Sequence, residues 1–392
     1  MFFQTLDDKS ECVGVYIDGN LYFDDIPDTL TKTWKYSGSL QGQDIEYIGL
    51  FTSGASLNDS CPLELQPELE ACQKKFRAYI KSFSIAKINM RDHCVFDLVP
   101  HDFLMRFCEI KNKITEHVYE TYPKPGNYEH LSSVHKLLHK IKFQRLNLSA
   151  ADCRHVLTNT RERQKLTELI NHYRFIDYNL FGTVTGRLTT KQDSFPILTL
   201  KKELRQIIKP NNDLFVCLDY NGAEVRTLLE LSEQPQPQGD IHAWNAKNLF
   251  EQEVARDEGK VRFFAWLYEP TYTDVKEKYY NREKILDKWY KEGFIYTPYK
   301  RKIEVEERKA LNYLLQSTTS DRVLSKATKI DEFLMENNCK SYISHIVHDE
   351  IVLDYCDDDR KHIKEIKEIF EDGYMANINA GKDYYNLKEL KI

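Results

Sequence analysis

Long apolar runs are missing from this sequence. None approaches the roughly 18 residues that a membrane-spanning helix needs. Met1 to Asp8 also lack the basic and apolar regions of a secretory signal, so the chain is expected to stay in the compartment where it is made, with no membrane partner. Clustered cysteines are missing too. The nine that occur are scattered singly, with no C-x-x-C and no Cys/His group at zinc spacing, which excludes a disulfide framework or a structural zinc and leaves buried thiols in a reducing cytosol.

Net positive charge is also absent, with an overall charge of -6 and a pI of about 6.1. The total hides an uneven distribution. Between Lys136 and Lys209 there are 15 Lys and Arg against 6 Asp and Glu, an excess suited to a phosphate track. The first 60 residues hold 10 acids and only 3 bases, and are expected to face away from any polyanion.

What is present is a chain of 392 residues with 41% apolar residues, enough for two or three packed substructures. Cys12 to Phe23 reads as β structure with a hairpin turn at Ile17–Asn20. Helical periodicity begins near Leu63, returns from His101 to Tyr122 with His101-Asp102 as a cap, and continues over Glu129–Ile141 and Arg161–Tyr173. Leu214–Leu218 reads as a strand followed by an amphipathic helix, Ala223–Leu231, and Gln234–Gly239 is a breaker. The pattern is then helical to about Lys291 and again over Val305–Asn337, ending in a β-hairpin from Tyr342 to Tyr355. Strands separated by long helical insertions predict an α+β fold, and no internal repeat is visible.

Three segments carry chemistry. In Leu214–Arg226 an apolar strand ends on Asp219-Tyr220 and turns into a helix bearing Glu224; in Ile346–Leu353 the acids Asp349 and Glu350 follow His348 at a hairpin tip. Carboxylates at apolar strand ends are costly unless a cation meets them. Two such ends could hold two Mg²⁺ ions about 4 Å apart, with Asp219 and Asp349 as ligands beside substrate phosphate. Either acid alone also fits an ordinary strand end or turn, and His348-Asp349 alone also fits a metal hydrolase, which would need further His and Asp ligands. The third segment, Arg256–Tyr268, places Arg256, Lys260, Phe264 and Tyr268 four apart, a helical stripe about 18 Å long. Cations at its N-terminal end would grip β- and γ-phosphates while the aromatic end meets sugar and base. Alone, the stripe also fits solvated cations beside two core rings.

These segments resemble motifs A, C and B of family A (Pol I-like) DNA polymerases and occur in the family's order. Phe181–Thr190 contains a T-G-R-L stretch similar to the family's, Asp240-Ile241-His242 resembles its D-I-H, and Asn312–Gln316 resembles a minor-groove-reading pair. The resemblance implies a right-hand fold with an antiparallel palm sheet: residues 1–60 a β-rich segment, 61–150 a helical thumb-like region, 151–232 and 309–392 the palm, and 233–308 the fingers. It implies a template-directed DNA polymerase that adds dNTPs to a primer 3′ end with two Mg²⁺ ions, in a compact form like those of phages. Asp219, Asp349 and Lys260 would be catalytic, with the Tyr220 backbone carbonyl completing the metal site and Glu350 a nearby acid. Arg256, Lys260, Phe264, Tyr268, His242 and Glu224 would bind dNTP, with Glu224 crowding a 2′-hydroxyl and Phe264 favouring a normal 3′-hydroxyl. Arg187, Arg205, Asn312, Gln316 and His348 would bind primer-template.

Departures from the pattern are Glu269 in place of the usual Gly after motif B, Pro196–Leu200 in place of P-N-L-Q-N-I-P, and Ser317 in place of Gly. The one D-x-E, Asp44–Glu46, finds no Tyr-x-x-x-Asp partner, so no proofreading exonuclease is expected in this chain, and a separate exonuclease or processivity factor becomes a possible partner. The location implied is cytoplasmic, in a nucleoid or an infected host cell. Two alternatives stay open: a phage-type single-subunit RNA polymerase, against which Glu224 and Phe264 argue, and an inactive DNA-binding accessory subunit.

Overall fold

The structure is a computed structural model that describes residues 1–392 except 10, 152–159, 270, 271, 273, 274, 276, 277 and 392. The chain divides into two compact units, Met1–Ser132 and Ser133–Ile392.

In the first unit, Phe2–Asp8, Glu11–Ile17 and Asn20–Tyr22 form an antiparallel meander with the expected turn, Ile17 pairing with Asn20. Two short strands, Lys32–Thr33 and Glu46–Tyr47, extend the sheet in parallel, which the sequence did not signal because each has only two residues. The helices Gln66–Ile85 and His101–Thr121 pack through Phe76, Phe103 and Phe107, whose rings stack at 5.7–6.2 Å. The cap expected at His101-Asp102 is not made. Pro100 occupies that place with no side-chain cap, and Asp102 lies in the first turn, where a negative charge suits the helix dipole.

The second unit is built on a five-stranded antiparallel sheet in the order Tyr342–Val347, Glu350–Tyr355, Leu214–Tyr220, Ala376–Gly381, Lys388–Glu389. Leu214–Tyr220 is central, and Phe215, Val216, Cys217 and Leu218 are almost wholly buried, so an unbroken apolar run is what this strand requires. The 30-residue helix Glu307–Glu336 packs against Ala223–Leu231. The helices Ile241–Asn248, Arg256–Tyr268 and Arg282–Trp289 share a core with these two, through Leu228, Ile241, Phe263, Trp266, Ile285 and Leu314. The stretch read as helical to Lys291 falls partly outside the described residues and ends differently. Tyr290–Lys291, Phe294–Tyr296 and Lys302–Glu304 form a small three-stranded sheet. No described helix is long and apolar enough to cross a membrane.

Candidate active site

Register places the first two acids. Asp219, at the end of the central strand, lies opposite Glu350 on one side and Asn377 on the other, and Val347 pairs with Glu350, so His348-Asp349 form the two-residue hairpin turn. His348 has φ +57, a conformation that tight hairpins require at this place and that His tolerates better than most residues. The rest of the site follows from one turn. Gly222 has φ +70 and a Cβ there would lie 2.5 Å from Ile241 Cγ2, so only glycine lets the strand turn tightly into the Ala223–Leu231 helix.

The resulting cleft, about 390 Å³, is lined by Asp219, Tyr220, Asp349 and His348 from the sheet and its turns, by Glu224 from the helix that follows Gly222, by His242, Arg256, Lys260 and Phe264 from two further helices, and by Arg187 and Gln316. Residues spread from position 187 to position 349 thus meet in one place.

Asp219, Asp349 and Glu350 are held above the usual carboxylate range. Burial, with Asp349 and Glu350 adding repulsion, pushes the Asp219 carboxyl up to about 7. Burial raises Asp349 and Glu350 as well. Among the described residues no group of three or more His, Cys, Asp and Glu forms a ready-made metal cage. Two crowded carboxylates with the remaining positions open suit a hard cation that also takes oxygen from a substrate phosphate. The donor set therefore fits Mg²⁺. The Tyr220 side chain is turned away, stacked 4.1 Å from Phe370 and donating to its carbonyl, so what it can offer the cleft is main chain.

Glu224 is fixed from two sides. Arg187 Nη2 donates to its Oε1 at 2.5 Å and the Tyr268 hydroxyl donates to its Oε2 at 2.6 Å. Tyr268 also stacks on Phe264 at 5.8 Å, and Phe264 contacts the His242 ring at 5.9 Å. Of the four-residue stripe, Arg256, Lys260 and Phe264 face the cleft and Tyr268 does not line it, while Phe263, Trp266 and Leu267 are buried behind it. Arg256 makes a two-pronged pair with Asp240, which caps the Ile241–Asn248 helix and is held well below the usual carboxylate range by that guanidinium. His242 is buried and its Nδ1 has no hydrogen-bond partner; burial and the nearby Lys260 lower its pKa, so it is neutral at neutral pH.

Other expected residues lie beside the cleft. Gln316 lines it and donates to Asn312 Oδ1 at 2.5 Å, so the pair forms one unit on the long helix. Arg205 is half-buried, 4.9 Å over the Tyr384 ring and donating to its hydroxyl, which in turn donates to Glu350 Oε2 at 2.7 Å. Arg205 and Glu350 thus belong to one hydrogen-bonded network beside Asp219, with which Glu350 pairs. Glu269, where the resemblance leads to Gly, has φ −110, a conformation open to any residue. Ser317 is buried with an unpartnered hydroxyl.

Sequence reading gave no role to Arg226, which is fully buried and donates from Nε to the Asn221 carbonyl and from Nη2 to the Gly239 carbonyl, both at 2.8 Å. It ties the turn after Asp219 to the loop before His242. A lone cation inside the apolar Ala223–Leu231 helix was the available signal.

No family model matches the chain. DNA polymerase I of Caldicellulosiruptor bescii is 24% identical over 353 residues, covering 68% of this chain and 41% of that protein. The DNA polymerase of Bacillus phage SP01 is 26% identical over 274 residues, covering 53% of this chain and 29% of that one. The chain thus spans less than half the length of these curated relatives. The POL domain of Pol1 from M. smegmatis, solved in complex with DNA primer-template and dNTP, superposes with a TM-score of 0.66 at 12% identity, covering 98% of this chain and 95% of that one. The chain has the polymerase-domain fold of Pol I, and its sequence is distantly related to family A (Pol I-like) DNA polymerases.

Proposed function

We propose that the chain is a template-directed DNA polymerase that joins dNTPs to a primer 3′ end. The observation that carries this reading is the convergence, in one cleft, of a carboxylate pair, a phosphate-sized cation stripe and a rigidly held glutamate. The sheet and its turns act as palm, and residues 233–308 act as fingers.

Asp219 and Asp349, with main chain at Tyr220, would hold two Mg²⁺ ions, which when bound activate the 3′-hydroxyl and neutralise the leaving pyrophosphate. Arg256 and Lys260, which line the cleft, bind the β- and γ-phosphates, and Lys260 gives the leaving group a proton. Neutral His242 offers a ring nitrogen to the triphosphate without adding charge. Glu224, unable to swing away because Arg187 and Tyr268 grip both oxygens, crowds the 2′ position and selects deoxyribose. Phe264 packs beneath the sugar with no hydroxyl to replace a missing 3′-OH. Arg187, Asn312, Gln316 and His348 face the primer-template end, and the basic segment 136–209 meets the backbone. Primer extension with Mg²⁺ and each of dNTPs and rNTPs tests this. Extension with dNTPs is expected; equal use of rNTPs would favour an RNA polymerase, and no extension an accessory subunit.

A further inference from the structure

We propose that Arg301, locked by Asp321, is a positioning residue that sets the Gly186–Arg187 turn and thereby aims Arg187. The inference rests on the reading of Arg187 as a primer-template contact. Nothing in the sequence pattern links Arg301 to the Gly186–Arg187 turn, which lies more than a hundred positions before it.

Arg301 closes the hairpin between Phe294–Tyr296 and Lys302–Glu304. Its backbone N–H donates to Thr297 Oγ1 at 3.1 Å and its carbonyl accepts from Thr297 N at 3.0 Å, with Lys300 at φ +61. From there the guanidinium enters the interior. Nε donates to Asp321 Oδ2 at 3.0 Å and Nη2 to Asp321 Oδ1 at 2.6 Å, with the Arg301 side chain 11% exposed and Asp321 fully buried.

A buried ion pair adds little net stability, so what it holds matters more than its strength. What it holds is the backbone of the T-G-R-L turn. Gly186 has φ +80, and a Cβ there would stand 2.5 Å from Arg301 Nη2 and 2.6 Å from Cζ, so the guanidinium lies directly on the glycine. Ser320, the residue before Asp321, donates from Oγ to the Gly186 carbonyl at 3.0 Å. Thr183 Oγ1 donates to the Arg187 carbonyl at 2.8 Å. The turn is therefore gripped on its face, at its carbonyl and at the next residue. Two of the three grips come from Arg301 with its partner and from the helix that carries Gln316. Lysine could keep the charge opposite Asp321 but not the planar surface that meets Gly186.

A double-mutant cycle tests this, using Arg187→Ala, Arg301→Lys and their combination, with affinity for a labelled primer-template, KM for DNA and for dNTP, and Tm measured together. Arg301→Lys is expected to keep its Tm near wild type, to weaken primer-template binding roughly tenfold, matching Arg187→Ala, and to add nothing when combined with it. KM for dNTP should move less than KM for DNA. Losses that multiply in the double variant, or wild-type DNA binding in Arg301→Lys, overturn the inference alone. Wild-type DNA use by Arg187→Ala overturns both the contact reading of Arg187 and the inference. If Arg301→Lys lowers Tm too far for assay, Ser320→Ala takes its place in the same cycle, with the same non-additivity expected and multiplicative loss again refuting.

Discussion

Replacing Asp219 with Asn should make the metal-free protein more stable at alkaline pH while destroying its catalytic site. The carboxyl is pushed from its ordinary 3.8 to about 7 by burial and by Asp349 and Glu350. The native state therefore binds this proton more tightly than the unfolded chain does, and native stability falls as pH rises from about 4 to about 7, the whole penalty being present above that. The rise from 3.8 to about 7, at about 1.4 kcal/mol for each pH unit, sets an upper bound of about 4 kcal/mol. Asparagine has the same shape and no charge to confine. At roughly 2–4 °C per kcal/mol for a unit of this size, Tm of the variant should exceed wild type by about 5 °C or more at about pH 8 in EDTA. At about pH 5, where roughly one of the three pH units between 3.8 and about 7 has been crossed, the gap should shrink to less than half. Adding Mg²⁺ at the higher pH should raise the wild-type Tm and leave the variant almost unmoved, because bound ligand stabilises only the form that holds it. A variant no more stable than wild type at about pH 8, or equally more stable at both pH values, would refute the reasoning that crowded carboxylates await a cation.

Three other outcomes follow from the same geometry. Glu224→Ala should admit ribonucleotides and lower efficiency with dNTPs, seen as a shift in dNTP:rNTP competition of roughly tenfold for each 1.4 kcal/mol removed. Lys260→Ala should lower kcat/KM for dNTP by roughly 10–100-fold, the worth of a charge-assisted phosphate contact, with primer-template affinity unchanged in a binding titration. Lys191, Lys201 and Lys202 are exposed, and the pairs Lys191 makes with Asp177 and Lys201 with Glu162 are surface contacts easily exchanged for phosphate. Replacing all three should flatten the log–log dependence of DNA affinity on salt by up to about 3, and an unchanged slope would move the phosphate track elsewhere.

The parts of the site legible in sequence are those whose chemistry conflicts with their surroundings. Asp219 ends a run that is otherwise buried, and Asp349 caps a hairpin with apolar arms, so both stand out as charges needing a partner. The stripe from Arg256 to Tyr268 was readable because helical spacing puts unlike residues on one face. Ala376–Gly381 was not, although Asn377 flanks Asp219. Its alternation rests on one large apolar residue, Ile378, among Ala, Asn and Gly of low strand propensity, and pairing with the central strand makes it a strand. The sheet from Tyr290 to Glu304 was hidden by short strands of mixed charge. The contact of Arg205 with Tyr384, 179 positions on, could not be read from its neighbours in sequence. Long-range pairs such as Arg301 with Asp321 leave no local trace at all.

The most direct test of the central claim is Mg²⁺-dependent primer extension by the wild-type chain and by Asp349→Ala, with primer-template affinity measured on both. Wild type should extend the primer by template-directed addition of dNTPs, while Asp349→Ala should add none and bind primer-template as tightly as wild type, since the acid serves metal and not DNA. Absence of extension by wild type, or substantial extension by Asp349→Ala, would contradict the account.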